Sequence, residues 1–473
     1  MSGNVGLASR GSTFDVPAVG RPLVVSWRLL VGSIIAIIFF VPITRYTLPG
    51  NLPFDIEPYR VVVAVVVAAW IVALLVDPRI RLTRSFIDAP LWVIGLTAAG
   101  SVAVNPARVS AVGYATVVKS LTYIGSFFLV AWLLVSVVRD RRTVDALVKL
   151  IVGCGSVVAV LAVIESRTGY NVFDHLADWI PMLRLSNVAQ VQSRGALRAY
   201  GSAQVAIALG AVLVLLVPLA IYLVRRTGRR RWWVAALALT VGALATVSRT
   251  AVLMMVAIAI VYLILRPRET RRMWPLLIPA LLVAHLAIPG VLGTVTGAFF
   301  PKGGLIAEQS ANAGTGSAGR AADIGPALAE FGKRPFLGRG YGTDIVNLGA
   351  KRNADVLDDQ WLGTLLETGL AGALAWAWLF TRALRRFGRA ARDAEDAMGW
   401  LFVALAASTT AFAVGMFTYD AFAFVQSTFV MFILLGLGAA ALALPEVRRT
   451  AIPAPRVRGE AGAAGAAASV RSV

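Results

Sequence analysis

The sequence predicts an all-α fold: a polytopic membrane helical bundle of about 12 transmembrane helices, with a large extracytoplasmic loop before the last three. Three observations predict it. Of 473 residues, 58% are hydrophobic and 15% charged, against about 45–50% and about 25% in soluble domains. Apolar runs of about 15–25 residues, near the length a helix needs to cross hydrocarbon, recur from Leu29 to Leu444. Within them apolar and polar residues do not alternate, as they would in barrel strands. Backbone amides have no water to bond in a bilayer, so such runs must be helical.

In chain order, residues 1–27 lack the compact apolar core and small-residue cleavage site of a signal peptide and read as a disordered cytoplasmic segment. The bundle occupies 28–444, with spans at 28–46, 59–76, 88–104, 117–138, 146–165, 202–224, 232–247, 250–266, 273–292, 361–381, 398–418 and 421–444. The seventh and eighth are separated only by Ser248 and Arg249, so they form a tight pair or one broken element. Two external loops stand out, 166–201 and 293–360. The second is long enough to be functional rather than passive and is a candidate lid. Residues 445–473 are rich in Ala, Gly, Pro and Arg and read as a disordered cytoplasmic tail.

The formal charge of +20 does not indicate nucleic acid, because the basic residues flank spans. Arg225, Arg226, Arg229, Arg230 and Arg231, and the five arginines from Arg382 to Arg392, lie in loops on one side. That side is therefore cytoplasmic, as are both termini. The chain reads as a multi-pass protein of the bacterial cell (inner) membrane, and its Ala, Val, Gly and Arg bias suggests a GC-rich genome. Cys154 is the only cysteine, which excludes an intrachain disulfide and a cysteine metal cluster.

Ionisable groups inside a bilayer are costly and usually functional. The spans are almost bare of them, with Glu367 and His285 the main exceptions and Gln204 and Gln426 as neutral polar groups. Chemistry is therefore expected at the outer surface. Three arginines stand there: Arg198 in Arg-Ala-Tyr-Gly-Ser, Arg249 in Val-Ser-Arg-Thr-Ala, and Arg320 in the long loop. A guanidinium fork suits phosphate oxygens and stays charged. The plain alternative is that these arginines snorkel to ordinary lipid phosphates.

Asp355, Asp358 and Asp359 precede span ten. A carboxylate there could take a proton from a hydroxyl nucleophile, or merely cap the helix. The three aspartates lack metal-loop spacing, so no metal site is assigned. The Gly338-Arg339-Gly340-Tyr341-Gly342 run lacks the preceding strand and following Gly-Lys-Ser of a phosphate loop and reads as a turn after a helix stop.

In pattern and order these segments resemble the O-antigen ligase and polymerase family, membrane glycosyltransferases that use polyprenyl-diphosphate-linked glycans. The segments are Arg198-Ala199-Tyr200-Gly201, Ser248-Arg249-Thr250, Arg320 with Arg334-Pro335-Phe336-Leu337-Gly338-Arg339-Gly340-Tyr341-Gly342, and the stretch from Asp358 through Glu367-Thr368-Gly369 to Gly372. In the ligases the last motif begins with a His-Asn pair; here Asp358 and Asp359 stand at those places.

The resemblance implies a polyprenyl-diphosphate-linked glycan donor, a glycan or lipid-linked acceptor, membrane lipid as surroundings, no nucleic acid and no cofactor. It implies that Arg198, Arg249 and Arg320 hold the diphosphate, with Arg249 also catalytic. Asp358 or Asp359 activates the acceptor, supported by Glu367, Arg339 and Tyr341. The expected activity is polymerisation or transfer of a lipid-linked glycan with inversion and without a metal. Ligation onto a lipid or protein acceptor, and a lipid-linked glycan flippase or exporter, are the alternatives.

Overall fold

The computed structural model describes residues 26–49, 56–187, 197–276, 320–343 and 359–445, with 278, 282, 283, 285, 286 and 447. The expected segments 1–25, most of 273–292, 293–319, 344–358 and 448–473 lie outside the described residues. The first helices are α1 (Trp27–Phe40), α2 (Pro58–Val76), α3 (Asp88–Ala103), α4 (Pro106–Val112), α5 (Tyr114–Val137) and α6 (Arg141–Thr168). Next come the short α7 (Leu176–Trp179), then α8 (Ala206–Thr227), α9 (Arg231–Ala245), α10 (Arg249–Leu265) and α11 (Pro267–Met273). The chain continues with α12 (Arg320–Lys333), α13 (Gln360–Asp393), α14 (Ala397–Gly415) and α15 (Val425–Ala443).

Among the described residues, helices coincide with eleven of the twelve expected spans. Among the described residues, seven are long and apolar enough to cross a membrane, eight if α3 and α4, bent by 85°, form one span. Helices α1, α9 and α10 are apolar but shorter. Three departures have local causes. Helix α1 stops at Phe40 rather than 46 because Pro42 follows. Residues Tyr46–Thr47 (β1) instead pair antiparallel with Arg184–Leu185 (β2), which ties the first external loop to the end of α1. Helix α13 runs past 381 to Asp393 and contains a break at Gly369.

Side chains fix several helix starts. Asp140 accepts from the Thr143 amide at 2.8 Å to open α6, and Asp396 accepts from Met398 and Gly399 to open α14. Gly169, at φ 74°, closes α6.

Helices α8, α14 and α15 form the centre. The most apolar window of α15 is 94% buried, against 28% for α2. Peripheral helices expose Val65, Leu75, Trp92 and Val234, a surface that water penalises and hydrocarbon does not. Contacts sort the helix ends into two groups. One end gathers the C-termini of α1, α3, α6, α9 and α14 with the N-termini of α5, α8, α10, α13 and α15. The other carries the arginines at 225–231 and 382–392.

Candidate functional site

The site begins where α13 breaks. Gly369 adopts φ 68° and ψ −166°, and a Cβ there would sit 2.4 Å from the Phe336 carbonyl carbon. A Cβ on Gly338, at φ 67°, would likewise sit 2.5 Å from the Glu367 carbonyl. Only glycine allows both the conformation and the approach. The two segments then exchange backbone bonds: Leu370 N to Pro335 O (2.8 Å), Ala371 N to Phe336 O (3.2 Å), Arg339 N to Leu366 O (2.8 Å) and Gly340 N to Glu367 O (3.2 Å). The bend between α3 and α4 closes this joint from behind. Ser101 Oγ donates to Glu367 O, and Asn105 Nδ2 donates to Gly338 O at 3.1 Å.

The joint aims the Glu367 carboxylate at the loop, where it accepts from Gly342 N at 2.9 Å. It borders a cavity of about 520 Å³ lined by Lys119, Ser120 and Tyr123 of α5, Tyr341 and Gly342, and Asp359, Gln360 and Glu367. Thr44, Gln204, Asp420 and Phe422 complete much of the wall. Burial pushes the Tyr341 phenol well above its usual range, and Glu367 and Asp420 add to the effect, so it is a neutral hydrogen-bonding group.

Gln360 fixes the start of α13 against the turn between α14 and α15. Its amide donates to Met416 O (2.8 Å), and its side-chain oxygen accepts from Phe422 N (2.6 Å). Asp359 Oδ1 caps α13 by accepting from Leu362 N at 3.0 Å. Capping and a place on the cavity wall are thus combined in one residue. Three carboxylates and one ammonium face this space, a set suited to sugar hydroxyls, which donate to carboxylates and stack on aromatic rings.

A second cluster adjoins it. Ala199 N donates to Ala245 O (3.2 Å) and Arg198 Nε to Thr246 O (3.0 Å), so the Arg-Ala-Tyr-Gly segment is bonded to the turn that leads into Ser248-Arg249. Val247 in that turn has φ 47° and is buried, a strained setting for a β-branched residue. Ser248 Oγ accepts from Ala251 N to cap α10, and Thr250 accepts from Thr418 Oγ1 at 2.9 Å. Thr418 belongs to the same turn as Asp420, so this turn links the two clusters.

Glu165 and Arg45 hold the second cluster from beneath. The Glu165 carboxylate accepts from Tyr200 N (3.1 Å) and Gly201 N (2.8 Å). Arg45 is 2% exposed and donates to Asp174 (2.8 Å), Gly201 O (3.1 Å) and Ala203 O. Tyr200 stacks beneath its guanidinium and donates to Asp174 at 2.7 Å. Burial and the neighbouring Asp174 raise the Tyr200 phenol far from ionisation.

Of the residues singled out by sequence, Asp359, Glu367 and Tyr341 meet at the cavity. Arg339 is half-buried in the loop joined to α13. Arg198 is buried in the adjoining cluster, and Arg249 is the half-buried first residue of α10; neither lines the cavity. Arg320 begins α12, and Asp358 and Asp355 lie outside the described residues. Sequence reasoning passed over Lys119 and Asp420 on the cavity and Arg45, Glu165 and Asp174 beneath it. The available signal was their position: Lys119, Glu165 and Asp420 are charged residues at span ends on the side where charge is sparse.

Residues 234–377 match the family model described as O-Antigen ligase. This segment is similar to the O-antigen ligase family. The match takes in the Ser248-Arg249 turn, the 338–342 loop, Asp359 and the break at Gly369, while Arg198, Lys119 and Asp420 fall outside it. No curated protein matches the chain. The matched segment contains both glycine-bearing stretches, 335–340 and 366–371, that interlock.

Proposed function

We propose that the chain is a membrane glycosyltransferase of cell-surface polysaccharide synthesis, which polymerises or transfers a polyprenyl-diphosphate-linked glycan at the extracytoplasmic face. The family match supports a membrane enzyme of glycan transfer. The observation that carries the finer reading is the cavity itself: it is lined by Asp359, Glu367 and Tyr341, and a Thr418–Thr250 hydrogen bond links the turn through Asp420 to the start of α10, where Arg249 stands.

In this reading the carboxylate of Asp359, which also caps α13, takes the proton from an acceptor hydroxyl. The hydroxyl oxygen bonds to the anomeric carbon from the face opposite the diphosphate. The bond from that carbon to the diphosphate oxygen breaks, and the leaving group keeps the electron pair. Displacement inverts the centre. Arg249, Lys119 and Arg198 stabilise the charge that develops on the diphosphate, so the step needs no metal. Glu367 and Asp420 accept hydrogen bonds from sugar hydroxyls. Asp358 is the neighbouring candidate for the base, and Arg320 a further diphosphate contact. An aspartate pair in place of His-Asn favours polymerisation over ligation to a lipid or protein acceptor.

The test is reconstitution of the purified chain in vesicles with a polyprenyl-diphosphate oligosaccharide. The wild-type protein lengthens or transfers the glycan. Asp359→Asn and Arg249→Ala each lose about a hundredfold or more of the rate. Asp359→Asn keeps its thermal stability, because asparagine caps a helix as well as aspartate. Full activity in both variants, or no transfer by the wild-type protein, overturns the proposal.

A further inference from the structure

The end of the bundle opposite this site contains a second cavity, of about 700 Å³. Arg84 reaches it from the segment between α2 and α3, Arg141 from the start of α6, and Arg382, Arg386 and Arg389 from the last turns of α13. The spacing of the last three, four and three residues apart, sets them on one helix face. Asp393 and Asp396 are the acidic groups on the lining, which leaves a formal excess of +3. Arg141 meets Asp396 at 3.4 Å, and Asp396 is already engaged as the α14 cap. Among the described residues, Arg84, Arg386 and Arg389 have no ion-pair partner, and all three are exposed.

The floor is of the opposite character. Phe86, Met398, Phe402, Ala439, Leu442 and Ala443 line it, so an apolar trough along α15 meets a rim of guanidinium groups. Arginines that only mark the orientation of a span have no need to converge from three separate elements on one cavity. A soluble polyphosphate would satisfy the rim and leave the floor wet. An amphipathic anion satisfies both.

We infer that this cavity is a binding site for an anionic phospholipid of the surrounding membrane, with its phosphates on Arg84, Arg386 and Arg389 and acyl chain along the floor. The excess of three charges favours a head bearing two phosphate groups, a diphosphatidylglycerol, over a singly charged one. Guanidinium forks bind phosphate oxygens in pairs, and basic pockets at helix ends suit such heads. The inference concerns a different face from the proposed transfer site and does not depend on it.

The experiment titrates the purified full chain, held in phosphatidylcholine nanodiscs, with fluorescent diphosphatidylglycerol. The expected result is saturable binding that Arg386→Ala/Arg389→Ala weakens about tenfold to thirtyfold. Arg271→Ala/Arg272→Ala, on exposed residues of α11 away from the lining, stays within about twofold of wild type. An unchanged melting temperature in phosphatidylcholine confirms that both variants are folded. Equal weakening by the two pairs would mean general surface attraction and overturn the site. Displacement of the lipid by inorganic pyrophosphate at the concentration of unlabelled lipid that competes would overturn it in favour of a free anion.

Discussion

Replacing Gly369 by alanine tests the joint on which the proposed site is built. An alanine would hold a φ near 68° with ψ near −166°, a region open essentially to glycine alone. Its Cβ would also lie 2.4 Å from both the carbon and the oxygen of the Phe336 carbonyl, and 2.7 Å from Gly338 N. Those atoms are backbone, so no side-chain rotation relieves the clash. Relief requires the 335–343 segment to lift away, which breaks the bonds from Leu370 N to Pro335 O and from Ala371 N to Phe336 O. The strain is about 1–3 kcal/mol and each bond about 0.5–1.5 kcal/mol, a total of about 2–6 kcal/mol against the docked loop. Even the lower figure shifts docking by about thirtyfold. Tyr341 and Gly342 then leave the cavity wall, and Glu367 loses its amide donor. The assays are glycan transfer in vesicles and limited proteolysis between 334 and 343. Gly369→Ala is expected to lose most transfer and gain cleavage while the rest of the bundle remains inserted. Gly388→Ala, lower on the same helix with nothing within 4 Å of the added methyl, is expected to be neutral or to stabilise by about 0.5–1 kcal/mol. Wild-type transfer and proteolysis in Gly369→Ala would refute the interlock.

Two further outcomes follow from the same geometry. Arg45→Ala strips a buried cation from Asp174 and from the carbonyls of Gly201 and Ala203, at a cost of about 3–5 kcal/mol. A large fall in melting temperature in detergent is expected, and Arg45→Lys should restore little because an ammonium lacks the fork; an unchanged melting temperature in Arg45→Ala would contradict this. Lys119→Ala is expected to lower kcat/KM for the lipid-linked donor about tenfold to a hundredfold through loss of a charged contact, with Lys119→Arg recovering much of it. Equal kcat/KM in Lys119→Ala would take that side chain out of the site.

Much of this architecture is legible in the sequence because hydrocarbon imposes a simple rule: a long apolar run must close its own backbone bonds as helix. The errors occur where a second rule intervened. Pro42 sits inside the run 28–46 and ends α1 early. The lower half of α13 is too rich in arginine to read as a span, yet its apolar face, with Ala383, Phe387 and Ala391 buried, carries the helix to Asp393. The motifs of the site were visible one by one, and their glycines marked where backbone would need freedom. Their union was not, because Gly338 and Gly369 meet across a loop, and Arg45 meets Asp174 across 129 positions. Single-sequence patterns report neighbours along the chain, whereas these contacts are made by the packing of helices.

The placement of the irregular segments is itself an argument for where chemistry occurs. Backbone that leaves the helical ladder within a bundle must find other partners, and it persists where it is buried in protein or borders a cavity. Here the break at Gly369, the 334–343 loop, the strained turn at Val247, the turn through Thr418 and Asp420 and the bend between α3 and α4 gather at one end. Each is satisfied by another of the set: Asn105 by Gly338, Thr250 by Thr418, Gln360 by Phe422. Such mutual support holds Asp359, Glu367 and Asp420 around one space although none of their segments could keep that shape alone. It follows that substitutions in this network are expected to change transfer while the long apolar helices still insert, since insertion depends on the length and apolar character of those helices.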